Sequence, residues 1–349
     1  MNIFIKILKN IILVIIITVI IAGSNKNITS ISKSFAITRP VKVGVFLIDL
    51  TDDYLSLVGQ NLKDIQKEND GKVEFTLYDA KSNQAIQDKS IDKVLEEGVD
   101  LILLNIVDTE AAQTVINKIK EYNVPVILFN REPVKVDAIK SYRKALYIGT
   151  DAKEAGIIQG EMLVNAWKSN KDSIDRNGDN IMQYIMLEGE RGNIEAIQRT
   201  KYSVLTIQQA GIKTEELALR FANWNTELAK NDIETLFLKY GDKIDVIIAN
   251  DDSMAIGAIE ALQEKGYNKG DKTKTIAVVG VDALPEVRAL IEKGIMLGSV
   301  VQDPKALAEA LYTVGMNLAY NKNPLEGTKY KFDDTEVSIR IPHREYISK

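Results

Sequence analysis

Apolar residues in this chain fall into short unbroken runs at regular intervals. From residue 41 the strand candidates are VKVGVFLI, KVEFTLYDA, DLILLNIV, VPVILFN and ALYIGTD, followed by IMQYIML, ELALRF, DVIIAN, TIAVVGVD and LGSVVQ. Amphipathic segments of helix length separate them. Continuous Val/Ile/Leu runs alternating with helices predict parallel strands covered on both faces. Ten such runs in two similar halves predict two doubly wound α/β lobes, not one large sheet. Ligands of such sheets bind beyond the carboxyl ends of the strands, so the chemistry is expected just after each run.

The first forty residues follow a different pattern. Lys6 and Lys9 precede the apolar run Ile11–Ala22, which only Thr18 interrupts. A basic segment before a short apolar one is an export signal. Counted from Ile3 to Ala22 the run has twenty residues, enough to span a bilayer core of roughly 30 Å. Residues 1–24 are therefore expected to be a signal peptide or an uncleaved transmembrane anchor. Residues 25–40 are polar and read as a linker. Either way the remainder is expected outside the cytoplasm, periplasmic or held at the outer face of the membrane.

Composition narrows the chemistry. Charged residues make up 27% and hydrophobic ones 45% of 349 residues, as in ordinary globular proteins, and the length allows two domains. A net charge of −5 argues against a nucleic-acid partner. The absence of cysteine excludes disulfides, thiolate sites and lipid attachment at an N-terminal cysteine. The single histidine, His343, rules out histidine triads and zinc clusters and is expected on the surface of a tail.

The residues after the runs are polar and capable of paired hydrogen bonds. They are Asp52 and Tyr54, Asn130, then Asn193, Glu195 and Arg199, then Asp251, Asp282 and Gln302, with Trp224 at the start of a helix. Planar carboxylates, amides and a guanidinium match the spacing of neighbouring sugar hydroxyls. An aromatic ring can cover the C–H face of a pyranose, and Tyr54 and Trp224 could enclose one from opposite lobes. Each polar residue alone is better read as a helix cap than as a ligand contact, and the sugar reading rests on the set. The sequence leaves both readings open.

One further stretch carries metal chemistry. In DRNGDNIMQ the oxygen donors Asp175, Asn177, Asp179 and Gln183 occupy positions 1, 3, 5 and 9 of a calcium loop, but position 12 is Met186 instead of the closing Glu of an EF-hand. A solvated Asp/Asn turn is the alternative reading.

The stretches DDYLSLV, VPVILFNREP, YIGTDAKEAGIIQGE, ANWNTELAK, VIIANDDSMAIGAIEAL and VVGVDALPE extend over residues 41 to about 340. In them the chain resembles the bacterial galactose/glucose-binding family, periplasmic sugar-binding proteins of the ribose-binding type. The resemblance implies two Rossmann-like lobes joined by three crossing segments that close on one monosaccharide. The first lobe would comprise 41–148 and 303–335, the second 149–302 and 336–349. It places the family's sugar contacts on the ten residues named above. Asp52, Asn130, Arg199, Trp224 and Asp282 agree with the family in type. Tyr54 stands for a phenylalanine, Asn193 for a histidine, Glu195 for an aspartate, Asp251 for an asparagine and Gln302 for an asparagine. Tyr54, Glu195 and Gln302 add atoms to the wall, which would suit a galactose- or glucose-like aldopyranose in an altered pose, or a pentose such as xylose. Asp251 puts a fourth carboxylate near one arginine, which favours a proton on one of the acids.

The resemblance also implies a structural calcium ion in the 175–183 loop. Ile181 would give a backbone carbonyl, and the closing carboxylate would come from Asp245, one methylene shorter than the family's glutamate. Asn180 stands where an EF-hand has glycine, and asparagine tolerates a left-handed turn.

The functions weighed are delivery of the sugar to an ABC importer and, as the alternative, an anchored sensor reporting to a histidine kinase or chemoreceptor. A LacI-type repressor would need a DNA-binding headpiece where the export segment stands. A glycosidase reading of the carboxylates conflicts with a family that binds without catalysis.

Overall fold

A computed structural model describes residues 39–348 of the protein, so the apolar segment and linker of the N-terminus lie outside the described residues. No described helix is long and apolar enough to cross a membrane.

Among the described residues all ten apolar runs form strands, β1 to β10: Val41–Leu47, Val73–Asp79, Leu101–Leu104, Val126–Phe129, Ala145–Gly149, Ile181–Glu188, Lys213–Phe221, Val246–Ala249, Ala277–Asp282 and Gly298–Val301. Two shorter strands follow, β11 (Ser338–Arg340) and β12 (Arg344–Ile347). They build two six-stranded sheets, β11-β5-β4-β3-β1-β2 and β12-β10-β9-β8-β6-β7. Within each sheet the first five strands in chain order are parallel and ordered 2-1-3-4-5. That order places a switch point between β1 and β3, and another between β6 and β8, where a crevice opens beyond the strand ends. The fold is two doubly wound α/β lobes, as the sequence predicts.

The alternation of side chains explains why the inner strands are apolar without interruption. In β6 and β8, Tyr184, Met186, Val246 and Ile248 pack on one face of the second sheet. Ile185, Leu187, Ile247 and Ala249 pack on the other. Successive Cβ atoms point to opposite faces, so a strand covered on both sides has no place for a polar residue. The edge strand β7 carries Lys213, Glu215, Glu216 and Arg220, charges that discourage pairing with another chain.

Several helices open at the cleft. In chain order the helices are α1 (Asp53–Glu68), the helices Gln84–Glu97, Ala112–Glu121 and Asp137–Lys140 as α2 to α4, α5 (Ala152–Ser169), α6 (Lys171–Ile174), α7 (Ile194–Gln209), α8 (Thr226–Tyr240), α9 (Asp252–Glu264), α10 (Pro285–Glu292) and α11 (Pro304–Ala319). Gly156 and Gly160 of α5 allow α7 to pack closely: a Cβ at either would sit 2.8 Å from the Arg199 carbonyl oxygen or 2.6 Å from that of Ser203.

The chain passes between lobes after β5, after β10 and after β11. The third passage follows Arg340, because Ser338–Arg340 pairs with β5 in the first sheet. This corrects the boundary expected at 335, and Gly149 likewise belongs to β5 and the first lobe. Thr150 Oγ1 donates to Gln302 Oε1 (3.1 Å), and Arg340 donates to the Thr150 carbonyl (3.0 Å), so the three passages are tied together. Arg340 also grips Glu132 through both terminal nitrogens, at 2.7 and 2.6 Å.

His343 lies on this third passage, not on an exposed tail. Its side chain is fully buried, its backbone N–H donates to Glu154 Oε2 and its Nδ1 lies 3.1 Å from the same oxygen. Burial, with Arg199 nearby, pushes the imidazole down to about 3, outweighing the half-exposed Glu154 carboxylate.

Candidate functional site

A cleft of about 550 Å³ opens between the lobes at the strand ends. All ten strand-end candidates line it: Asp52, Tyr54, Asn130, Asn193, Glu195, Arg199, Trp224, Asp251, Asp282 and Gln302. Tyr54 and Asn130 arrive with Asp52 from the first lobe. The others come from the second lobe or, for Gln302, from the second passage.

The cap reading and the cleft reading hold together. Asp52, Asn193 and Asp251 are the N-caps of α1, α7 and α9, accepting from Leu55 N (2.7 Å), Ala196 N (2.9 Å) and Met254 N (2.9 Å). A cap engages one side-chain oxygen, and on each aspartate the second oxygen is left for the cleft. The helix ends that need capping are thus the same ends that face the crevice.

Three other candidates sit where the backbone is bent against ordinary preference. Asn130, Trp224 and Asp282 have φ of 61°, 60° and 117°. Asparagine accepts the left-handed region readily; a tryptophan or aspartate there costs on the order of 1 kcal/mol or more, and such residues cluster at functional sites. Trp224 lies over Gly189, where a Cβ would come within 2.2 Å of the indole. Its ring also lies 6.0 Å from the Arg199 guanidinium.

Arg199 is buried and neutralises none of the acids directly. Its Nη1 donates to the Asn250 carbonyl (2.9 Å) and its Nη2 to Gln302 Oε1 (3.0 Å). Its Nε, Glu195 Oε2 and the Tyr54 hydroxyl are buried with no hydrogen-bond partner among the described residues. A buried polar group without a partner costs roughly 1–3 kcal/mol, so these three atoms mark where a polar ligand would be rewarded.

Burial drives the carboxyl groups up. Asp52 is pushed to about 6, mainly by desolvation and then by Asp53 and Asp49 beside it. Asp251 is pushed to about 7 by burial and then by Asp52 across the cleft, with Arg199 partly opposing. Glu195 and Asp282 rise for the same first reason. Beneath the floor Asp252 is fully buried, accepting from Ser299 Oγ (2.7 Å) and Leu284 N (2.8 Å). Its hydrogen bonds fix the turn after β9 that presents Asp282.

Sequence reasoning missed the residues that hold the lobes together. Ser253 Oγ donates to Asp53 Oδ2 (2.8 Å), Arg131 Nη2 to Glu190 Oε2 (2.7 Å), and Glu132 N to Glu195 Oε1 (2.7 Å). Each lies within two positions of a strand-end candidate or a turn beside one, so following each strand a few residues further would have collected them.

The 175–183 loop stands apart from the cleft. Asp179 accepts from Ile181 N (2.8 Å) and Gln183 Nε2 (2.7 Å), and Asn177 Nδ2 donates to Asp179 (3.0 Å). Asn180 has φ 65°, the left-handed turn expected of it. Asp245, almost fully buried, accepts from Arg176 N (3.0 Å) and Gln183 N (2.9 Å), tying the two ends of the loop. Asp175 pairs with Lys171 at 3.2 Å through Oδ2, while its Oδ1 is buried without a partner among the described residues. Lys171 also reaches Asn180 Oδ1. Among the described residues no three acidic or histidine side chains converge on one point; the loop's donors are largely amides and carbonyls.

Comparison with known proteins agrees with this fold. The model of the family described as "periplasmic binding protein domain" matches residues 43–323. The D-galactose/methyl-galactoside binding periplasmic protein of Haemophilus influenzae is 38% identical over 317 residues, 90% of this chain and 91% of that protein. The ribose import binding protein of Escherichia coli K12 is 25% identical over 247 residues, 70% of this chain and 74% of that one. A solved ABC transporter solute binding protein from Bacillus halodurans, with bound myo-inositol, shares the fold at a TM-score of 0.72 and 24% identity, covering 89% of this chain and 96% of that one.

Proposed function

Because the chain belongs to the periplasmic binding protein domain family, we propose that it is an extracytoplasmic monosaccharide-binding protein that closes on its sugar and delivers it to an ABC importer. The observation that carries this reading is the convergence of ten strand-end residues on one interlobe cleft, with three buried polar atoms there left unpartnered. The sugar is a galactose- or glucose-like aldopyranose, with a pentose such as xylose as the smaller alternative. Asp52, Asn130, Asn193, Glu195, Asp251, Asp282 and Gln302 take its hydroxyls, Arg199 donates to its oxygens, and Tyr54 and Trp224 cover its faces. Bound sugar bridges the lobes and stabilises the closed form, so ligand binding and hinge closure are one equilibrium. No step of bond cleavage is assigned to the carboxylates.

A thermal-shift panel of galactose, glucose, xylose, arabinose and ribose tests the reading. A ligand that binds only the folded state raises its melting temperature, by an amount that grows with concentration over Kd. No shift with any monosaccharide would overturn it.

The 175–183 loop is read as a structural calcium site. Its donors fit a hard cation: carboxylate oxygens of Asp175 and Asp179, amide oxygens of Asn177 and Gln183, and the Ile181 carbonyl. The unpartnered Asp175 Oδ1 supports the fit. Asp245 would close the set, since each of its oxygens keeps a lone pair beyond the backbone N–H it accepts. A bound ion would supply charge that fastens the loop to β8 and take no part in sugar recognition.

A second reading, an anchored sensor signalling to a histidine kinase or chemoreceptor, is favoured by the apolar run behind Lys6 and Lys9. Recovery of the full-length protein in washed membranes, with the run uncleaved, would support it; a mature chain starting near residue 25 would remove it.

A further inference from the structure

The cleft is built for positive charge. Its lining carries Asp52, Glu195, Asp251 and Asp282 in its depth and further acids at its rim, against two arginines and no lysine. One of those arginines, Arg131, is already paired with Glu190. The other, Arg199, spends its terminal nitrogens on Asn250 and Gln302. None of the four deep carboxylates has an ion-pair partner among the described residues.

Two of these acids face each other from opposite lobes. Asp52 caps α1 and Asp251 caps α9, and the residues immediately inside those helices meet through the 2.8 Å bond from Ser253 to Asp53. The helix starts therefore stand tip to tip. Each cap uses one oxygen for its own helix, which leaves one oxygen on each carboxylate; the two acids are near enough that Asp52 raises Asp251, and neither has an ion-pair partner among the described residues. Glu195 Oε2, more than nine-tenths buried, is a third acceptor left open in the same cleft.

We propose that the preferred ligand is an amino sugar, a monosaccharide with a protonated amino group in place of one hydroxyl, its ammonium held between Asp52 and Asp251. This rests on the monosaccharide reading and narrows it. An ammonium has three donors and no acceptor, which suits a pair of carboxylates that only accept. Its charge also offsets the cost of keeping two buried carboxylates ionised, which a neutral hydroxyl cannot do. The same field opposes uronates and sugar phosphates.

Isothermal titration at pH 7 with D-galactosamine, D-glucosamine, D-galactose and D-glucose, on the wild type and on Asp251→Asn, tests it. Asparagine is an equally good helix cap, and the unliganded melting curve checks that the variant folds. The expected result is that one amino sugar binds at least about tenfold more tightly than its neutral parent, and that this ratio falls towards one in Asp251→Asn. A neutral parent binding as tightly or more tightly overturns the inference while leaving the monosaccharide reading intact. A tenfold preference unchanged in Asp251→Asn overturns the assigned pair. Failure of all four sugars to bind overturns the amino-sugar inference, and the pentoses of the thermal-shift panel then decide the monosaccharide reading separately.

Discussion

The two lobes share one strand order, yet they meet the cleft differently. The first contributes Asp52, Tyr54 and Asn130; the second contributes Asn193, Glu195, Arg199, Trp224, Asp251 and Asp282. In the second lobe the side chains hold one another: Gly156 and Gly160 seat α7, which carries Glu195 and Arg199, Asp252 fixes the turn that presents Asp282, and Gly189 seats Trp224. In the first lobe Asp52 and Tyr54 stand at one helix start, and Asn130 is held by Tyr147 and Asn105. Identical topology thus supports a preorganised platform on one side and a cover on the other. Initial capture is expected to depend on the second lobe, and closure on the first.

The largest test compares one residue from each side. Arg199→Ala removes a buried cation that serves the Asn250 carbonyl and Gln302 and partly offsets three acids, Glu195, Asp251 and Asp282. Hydrogen bonds to charged groups contribute roughly 1.5–3 kcal/mol each, so sugar affinity should fall a hundredfold or more. Asp52→Ala should cost about tenfold, and part of that is a lost helix cap of about 1 kcal/mol. Titration calorimetry measures both. Equal losses would show that the lobes share binding evenly, and the platform and cover distinction would fail.

Much of this contrast could be read from the chain before its structure. The inner strands were legible because both faces of each sheet are covered there, which leaves strands such as Val246–Ala249 no polar position, while edge strand β7 keeps charged residues among its apolar ones. The cleft residues were legible because capping places Asp and Asn at the same helix starts that border the crevice. Other features left no such trace. Strands β11 and β12 have three and four residues, and β12 is largely exposed, so neither makes an apolar run. For the same reason the third passage was expected before residue 336, and His343 was expected on a surface. The left-handed conformations of Trp224 and Asp282 are imposed by their surroundings, not by residue type. The pair Arg131–Glu190 joins residues 59 apart in sequence, a separation over which local pattern carries no information.

The next effect belongs to the second lobe alone. Asp245→Ala strands two backbone N–H groups, the buried one of Gln183 and the part-buried one of Arg176, at a cost of about 2–3 kcal/mol. For a lobe of this size that lowers the melting temperature by roughly 5–10 °C. Calcium should raise the melting temperature of the wild type and a chelator should reverse the gain, while Asp245→Ala should respond to neither. Sugar affinity in the variant should stay within about twofold of wild type. A large affinity loss would mean that the loop is part of the platform after all.

The hinge gives a pH test. His343 titrates near 6.5 when unfolded and is pushed down to about 3 in the fold. Above pH 6.5 both states hold it neutral and its contribution is fully present. As pH falls from 6.5 towards 3 the unfolded chain gains a proton that the folded chain refuses, so stability declines. Between pH 7 and pH 5 this should remove about 1–2 kcal/mol. The carboxyl groups of the closed cleft act in the opposite direction, because those raised above their ordinary values take protons more readily when folded. Denaturant unfolding of wild type and His343→Asn at both pH values isolates the histidine by difference. An unchanged difference would show that His343 is hydrated or charged in the folded protein.

The smallest effect separates cover from platform most cleanly. Ser253 Oγ donates to Asp53 only when the lobes are together, and neither residue is needed to cap its helix. Ser253→Ala should therefore leave the unliganded melting curve unchanged and weaken the closed form by about 1 kcal/mol, the net contribution of a typical hydrogen bond. Because apparent affinity scales with the fraction of molecules able to close, sugar binding should weaken about fivefold. The loss should lie in the dissociation rate, since the platform that first captures the sugar is intact. Stopped-flow fluorescence of Trp224 reads both rates. A fivefold loss in the association rate instead would place Ser253 on the platform, and the helix starts of α1 and α9 would then act in capture as well as in closure.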